Sequence, residues 1–121
     1  MSIKSAINLL SLEIGDCVTT SHAIRDQHSH NESHFDIALP DAVVFPRDTS
    51  EISTVLRVCT QEKCPVTAWG AGTALEGQHL PTAGGISLDL TTMNSILAVN
   101  QEDMDAVVQA GVTREQLNQD L

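Results

Sequence analysis

Apolar positions along the chain change rhythm several times, and each change marks a new element. Ile3, Ala6, Ile7 and Leu10 fall at i, i+3, i+4 and i+7, which predicts an amphipathic helix over residues 3–12. A helix this short needs a packing partner to persist. Residues 13–40 lose the rhythm and read as a polar, irregular lead-in. Asp41-Ala42-Val43-Val44-Phe45-Pro46 is then a short apolar run stopped by proline, the pattern of a buried strand. Asp48-Thr49-Ser50-Glu51 is a capping-box variant that starts a helix, and Ile52, Val55, Leu56 and Cys59 follow at helical spacing. Lys63-Cys64-Pro65 ends it, because proline cannot continue a helix. Val66-Thr67-Ala68-Trp69 reads as a second strand. Strand, helix and strand in so few residues imply a parallel pair joined by a right-handed crossover.

A glycine-rich stretch follows: Gly70-Ala71-Gly72-Thr73-Ala74-Leu75-Glu76-Gly77. Pro81 and Gly84-Gly85 mark turns, and Ile86-Ser87-Leu88-Asp89-Leu90 alternates as a strand. Residues 96–99 and 106–110 are two more strands, paired as a hairpin across the acidic turn Gln101-Glu102-Asp103. Gly111 breaks that run. Thr113, with Gln116 three residues on, caps a last helix whose Leu117 faces inward. The expected fold is α/β (α+β): a small mixed sheet with one parallel βαβ crossover and an antiparallel hairpin, helices packed on one side. Residues 1–40 are read as an N-terminal helix and polar lead-in, and residues 41–121 as one domain's worth of chain.

Composition narrows the partners. The 121 residues carry 16 acidic and 6 basic side chains, a formal charge of -10, which argues against a nucleic-acid partner or an anionic membrane surface. No apolar run approaches the roughly 20 residues of a spanning helix. The start of the chain, Met1-Ser2-Ile3-Lys4, does not resemble a signal peptide, so the cytoplasm is the expected location. Cys17, Cys59 and Cys64 are odd in number and irregular in spacing, which suggests reduced thiols. His22, His28, His30 and His34 cluster in the lead-in. A metal site is the sharp reading of that cluster and a solvated loop the plain one, and the absence of a cysteine pair or helical alignment favours the loop.

Chemistry concentrates in the glycine stretch. A pyrophosphate needs several backbone N–H groups converging on it, and side chains there would block the approach. Successive N–H groups in such a turn form an anion-binding concavity. Gly70, Gly72 and Gly77 follow a crossover strand, and Thr73 adds a hydroxyl. The stretch has no Lys or Arg, so backbone dipoles would have to do the binding, and a side chain at Gly72 is expected to fill the concavity. There is no Gly-Lys-Ser/Thr ending, which excludes a P-loop, and the spacing is not that of a Rossmann turn. On spacing alone, a purely structural turn remains an equal alternative.

Longer motifs carry a resemblance. The run Pro65-Val66-Thr67-Ala68-Trp69-Gly70-Ala71-Gly72-Thr73-Ala74-Leu75-Glu76-Gly77, the run Gly84-Gly85-Ile86-Ser87-Leu88-Asp89-Leu90-Thr91-Thr92-Met93-Asn94-Ser95-Ile96-Leu97, the upstream Pro40-Asp41-Ala42-Val43-Val44-Phe45-Pro46 and the downstream Ala110-Gly111-Val112-Thr113 resemble the FAD-linked oxidases of the vanillyl-alcohol-oxidase (PCMH-type) superfamily, over roughly residues 28–121. Within it they are similar to the branch of the glycolate oxidases and D-lactate dehydrogenases. The resemblance implies that residues 41–121 form the first half of an FAD-binding domain. It implies that Gly70, Ala71, Gly72, Thr73 and Ala74 cradle the FAD pyrophosphate, with Glu76, Gly77 and Gln78 farther toward the flavin. Trp69, which stands where many relatives carry Arg, is counted among the FAD-contacting residues as well. Thr73 stands where some members carry a flavin-linking His, so FAD is expected to bind non-covalently. His79 is expected to be a bystander or a minor flavin-side contact.

The implied reaction oxidises a 2-hydroxy acid to a 2-oxo acid, with hydride passing to the flavin. In such enzymes more flavin domain and a substrate domain follow. No residue here is assignable as the base. The chain alone is therefore expected to be catalytically inactive and to hold FAD weakly or not at all. A homo-oligomer or a complementing C-terminal half is expected to cover an exposed apolar face. A stand-alone nucleotide-binding or interaction module is the alternative.

Overall fold

The computed structural model describes residues 1–30, 36–74 and 77–121. Helix α1 spans Ile3–Ile14, with Ser2 at its N-cap accepting from the Ser5 amide at 3.0 Å. A 3-10 turn at Gly15–Cys17 leads into a two-residue strand, β1 (Val18–Thr19), and a short helix, α2 (His22–Gln27). Strand β2 (Ala42–Val44), helix α3 (Thr49–Gln61) and strand β3 (Val66–Trp69) form the crossover unit. Strand β4 (Ile86–Asp89), the hairpin strands β5 (Ile96–Asn100) and β6 (Asp105–Val108), and helix α4 (Arg114–Asp120) complete the chain. Among the described residues no helix is long and apolar enough to cross a membrane.

The main sheet has the order β1-β2-β4-β3, and the hairpin forms a separate two-stranded sheet. The mixed sheet, the crossover and the hairpin expected from the sequence are all present. The crossover differs in one respect: β2 and β3 do not pair with each other, because β4 lies between them and is parallel to both. The reason is burial. All four residues of β4 are buried, and so are all three of β2, whereas β3 is only half-buried and takes the edge. The lead-in also has more order than its sequence suggested, since β1 pairs antiparallel with β2.

Alternation along the strands divides the sheet into two faces. Ala42, Val44, Ile86 and Leu88 enter one core with Ala6 and Leu10 of α1 and Val55, Val58 and Cys59 of α3. The inward face of α3 is rotated from the expected one: Val58 is buried, Ile52 packs at the margin, and Leu56 is 48% exposed. A periodicity of four apolar residues cannot distinguish two neighbouring stripes when the helix carries five candidates. Ser87 and Asp89 lie on the opposite face, which belongs to the site below.

Helix α3 starts at Asp48, whose carboxylate accepts from the Glu51 amide at 2.9 Å. Glu51 reaches back one residue farther than a capping box requires, accepting from the Arg47 amide at 2.6 Å and from the Arg47 guanidinium at 2.6 Å. The Cys17 thiol donates to the same carboxylate at 3.4 Å. These bonds, that from the Arg47 guanidinium first, lower the Glu51 carboxyl from 4.5 to about 2. A folded-state value below the unfolded one favours folding while the group is charged. That contribution is complete above about 4.5 and is lost as pH falls toward 2. Glu51→Gln should therefore be less stable than the wild type at pH 6, and the two urea midpoints should converge as pH falls through that window. A gap of constant size would show that the ion pair is not its source. Burial pushes all three thiols up, Cys59 to about 12, which leaves them protonated and buried.

Candidate functional site

The site begins where β3 ends. Trp69 pairs in register with Asp89, so both side chains rise from the sheet face opposite the aliphatic core. His28, at the C-terminal end of α2, lies over that face. Its Nε2 is 2.6 Å from Asp89 Oδ2 and its Nδ1 is 2.8 Å from the Ile24 carbonyl oxygen. Both side chains are at least 95% buried. Asp89 also accepts from the amide and hydroxyl of Thr91. The Trp69 ring stands between two imidazoles, with centroids 4.6 Å from His28 and 4.7 Å from His79. His79 is buried, and its Nε2 donates to the His30 carbonyl at 3.0 Å.

This stack ties the lead-in to the glycine loop. The solvated-loop reading holds for the exposed His30; His22 is exposed but begins helix α2, and His28 is buried. His34 lies outside the described residues, among which no group of three or more His, Cys, Asp or Glu is disposed to hold a metal ion. Nothing in the local pattern of residues 13–40 distinguishes His28 from its neighbours, since its partner, Asp89, is 61 residues away. Asp89 did carry a signal: its position in the alternating run put it on the face of Ser87, away from Ile86 and Leu88.

Gly70, Ala71, Gly72, Thr73 and Ala74 line one open cleft of about 410 Å³ with Gln78 and His79. Gly77 lies beside it at φ +75, its carbonyl accepting from the Leu80 amide at 3.1 Å. Glu76 lies outside the described residues. None of the five amides of residues 70–74 finds an acceptor among the described residues. Five successive N–H groups in that state on an exposed loop are the donor set an anion requires.

The two loop glycines are glycine for different reasons. Gly72 has φ +74, and a Cβ there would lie 2.4 Å from the Trp69 ring, so its lack of a side chain shapes the loop. Gly70 lies outside the left-handed region, and a Cβ on it would meet no atom within 4 Å. Neither backbone conformation nor internal packing demands glycine at position 70. Close approach of something from outside would. The Trp69 indole, in turn, packs against His28, His79 and Gly72, and so supports the loop.

A second cleft, of about 260 Å³, shares Gly70 and Ala71 with the first and is closed on its far side by Thr91 and by residues 110–114. Gly111 is held against the Leu90–Met93 turn, its amide donating to the Met93 carbonyl at 2.8 Å. A Cβ there would meet the Leu90 carbonyl oxygen at 2.0 Å. That contact fixes the Ala110-Gly111 segment opposite the loop and places Arg114, which no sequence pattern singled out, on the same cleft. The glycine stretch carries no cation of its own, and Arg114 lines the space beside it.

Comparison with known proteins agrees with this geometry. Residues 40–121 match the family model of the FAD binding domain. The chain belongs to that family. It is 39% identical over 101 residues to a probable mitochondrial D-lactate dehydrogenase of Danio rerio, covering 84% of this chain and 20% of that protein. It is 40% identical over 92 residues to the glycolate oxidase subunit GlcD of Bacillus subtilis, covering 76% of this chain and 20% of that one. Among solved structures it superposes on 4-ethylphenol oxidase from Gulosibacter chungangensis with a TM-score of 0.86 and 26% identity, over 97% of this chain and 24% of that one. The chain thus spans about a fifth of the length of these curated relatives. The PCMH-type fold and the D-lactate dehydrogenase and glycolate oxidase resemblance expected from the loop both stand.

Proposed function

We propose that this chain supplies the pyrophosphate-binding loop of an FAD-dependent 2-hydroxy-acid dehydrogenase acting on glycolate or D-lactate. The observation that carries the proposal is the run of five amides at residues 70–74 without an acceptor among the described residues, beside a glycine whose missing side chain nothing inside the protein explains. Gly70, Ala71, Gly72, Thr73 and Ala74 would hold the phosphates, and Glu76, Gly77 and Gln78 would extend the contact toward the flavin. Trp69 would act as the platform that sets the loop's shape. The residues fit FAD in kind: an acidic chain uses backbone donors, and Thr73 leaves the flavin unlinked. FAD, when bound, supplies the hydride acceptor, while this chain's residues bind and orient it. No described side chain is assigned as the catalytic base, and the chain alone is read as inactive.

The same reading covers the hairpin. Leu97, Met104, Val107 and Val108 are 62%, 91%, 50% and 39% exposed, apolar side chains spread over both faces of the hairpin that a partner would cover. The fivefold greater length of the relatives supports a complementing C-terminal half over a second copy. The buried, free thiols fit a reducing compartment, the cytoplasm being the expected one, although several relatives are named mitochondrial. Titration of FAD into the chain, followed by calorimetry with ADP and riboflavin as controls, tests the reading. Weak but saturable binding of FAD and ADP without riboflavin is expected, and binding of riboflavin without ADP would contradict it.

A further inference from the structure

Six basic side chains serve a chain of charge -10, and three of the four arginines are engaged by partners. Arg47 is paired with Glu51, Arg57 with Glu13, and Arg25 donates to the Pro40 carbonyl. Arg114 has no ion pair among the described residues. It lines the 260 Å³ cleft whose other wall is Gly70 and Ala71. The remaining polar groups of that cleft are largely committed. The Thr91 hydroxyl donates to Asp89, the Thr113 hydroxyl accepts from the Gln116 amide at 3.1 Å, and the Gly111 amide is spent on Met93. No carboxylate lines it, although Glu115 is the next residue in the chain. Arg114 is therefore the one charged residue lining that cleft among the described residues, and the cleft shares Gly70 and Ala71 with the loop's own; Arg114 also borders a surface depression with Glu115.

We propose that Arg114 is the countercharge for a diphosphate seated on the Gly70–Ala71 ridge, its guanidinium meeting phosphate oxygens from the side opposite the loop amides. The ligand class is a nucleoside diphosphate or a dinucleotide joined by a pyrophosphate. The inference rests on the loop reading above and adds to it a side chain from a different element. Backbone donors fix where the phosphates lie. An arginine supplies the charge that an acidic chain otherwise lacks, through paired N–H donors that match phosphate geometry. The contact is open to solvent, so salt should screen it.

The test compares wild type, Arg114→Gln and Arg114→Lys for ADP, FAD and riboflavin at low and high salt. Arg114 is exposed and outside the core, so the variants should unfold at the wild-type midpoint. Arg114→Gln should bind ADP and FAD about tenfold more weakly at low salt, the scale of one charge-assisted contact. The gap should shrink at high salt, and Arg114→Lys should fall between. If wild type binds ADP and Arg114→Gln binds it equally well, the countercharge is elsewhere and the loop reading survives. If wild type binds neither ADP nor FAD, the loop reading fails and the inference fails with it.

Discussion

Gly70→Val should weaken binding of FAD and ADP by at least about tenfold while moving the urea midpoint by no more than about 0.5 kcal/mol equivalent. Position 70 is exposed, outside the left-handed region, and bordered by open space, so the folded chain should accept the valine. The same branched side chain would stand on the ridge between the two clefts, where a ligand must come within contact distance of the backbone. Gly72→Val tests something else. At φ +74 a branched residue is strained by about 1–2 kcal/mol or more, and its Cβ would run into the Trp69 ring at 2.4 Å. Lost binding in that variant would mix a reshaped loop with a blocked one, whereas position 70 separates them. Calorimetric titration of each variant, paired with its unfolding curve, checks the difference. A Gly70→Val protein that binds ADP as well as wild type would show that no ligand approaches there.

Asp89→Ala is expected to produce the largest loss of stability of any single change on the site face, about 3 kcal/mol. Its carboxylate is 95% buried and satisfies three donors at once: His28 Nε2 and the amide and hydroxyl of Thr91. Removing it leaves those donors unpaired in a dry space and unseats the imidazole on which Trp69 rests. Asp89→Asn keeps an acceptor for the Thr91 amide and should cost less. Urea unfolding at pH 7 measures both. A loss below about 1 kcal/mol for the alanine variant would mean that water replaces the carboxylate, and that the pair does not anchor the lead-in.

Local patterning made most of the elements legible. The caps at Asp48 and Thr113, the proline stops at Pro46 and Pro65, and the alternation through β4 depend on neighbours a few residues apart, and all appear in the fold. The insertion of β4 between β2 and β3 was not legible, because strand order depends on which strand can be buried on both faces. The loop itself was legible as a glycine-rich stretch, and its family was legible from the ordered motifs around it. The partners of the loop were not. His28 sits in a stretch without periodicity. Arg114 is some forty residues downstream of Gly70, and the Gly111 contact with Leu90 and Met93 brings it there. Even the two loop glycines looked alike in sequence, and only the Cβ environments separated the one that shapes the loop from the one that leaves room.

If the amides of residues 70–74 receive the phosphates of FAD, each of them should report the ligand. The most direct measurement is an amide NMR titration of the labelled chain with ADP, FAD and riboflavin, because it reads each donor separately and tolerates weak binding. The amide signals of Gly70, Ala71, Gly72, Thr73 and Ala74 should move saturably with ADP and FAD and stay in place with riboflavin. Loop signals that remain fixed at millimolar ADP, or shifts confined to another part of the surface, would contradict phosphate binding at this loop.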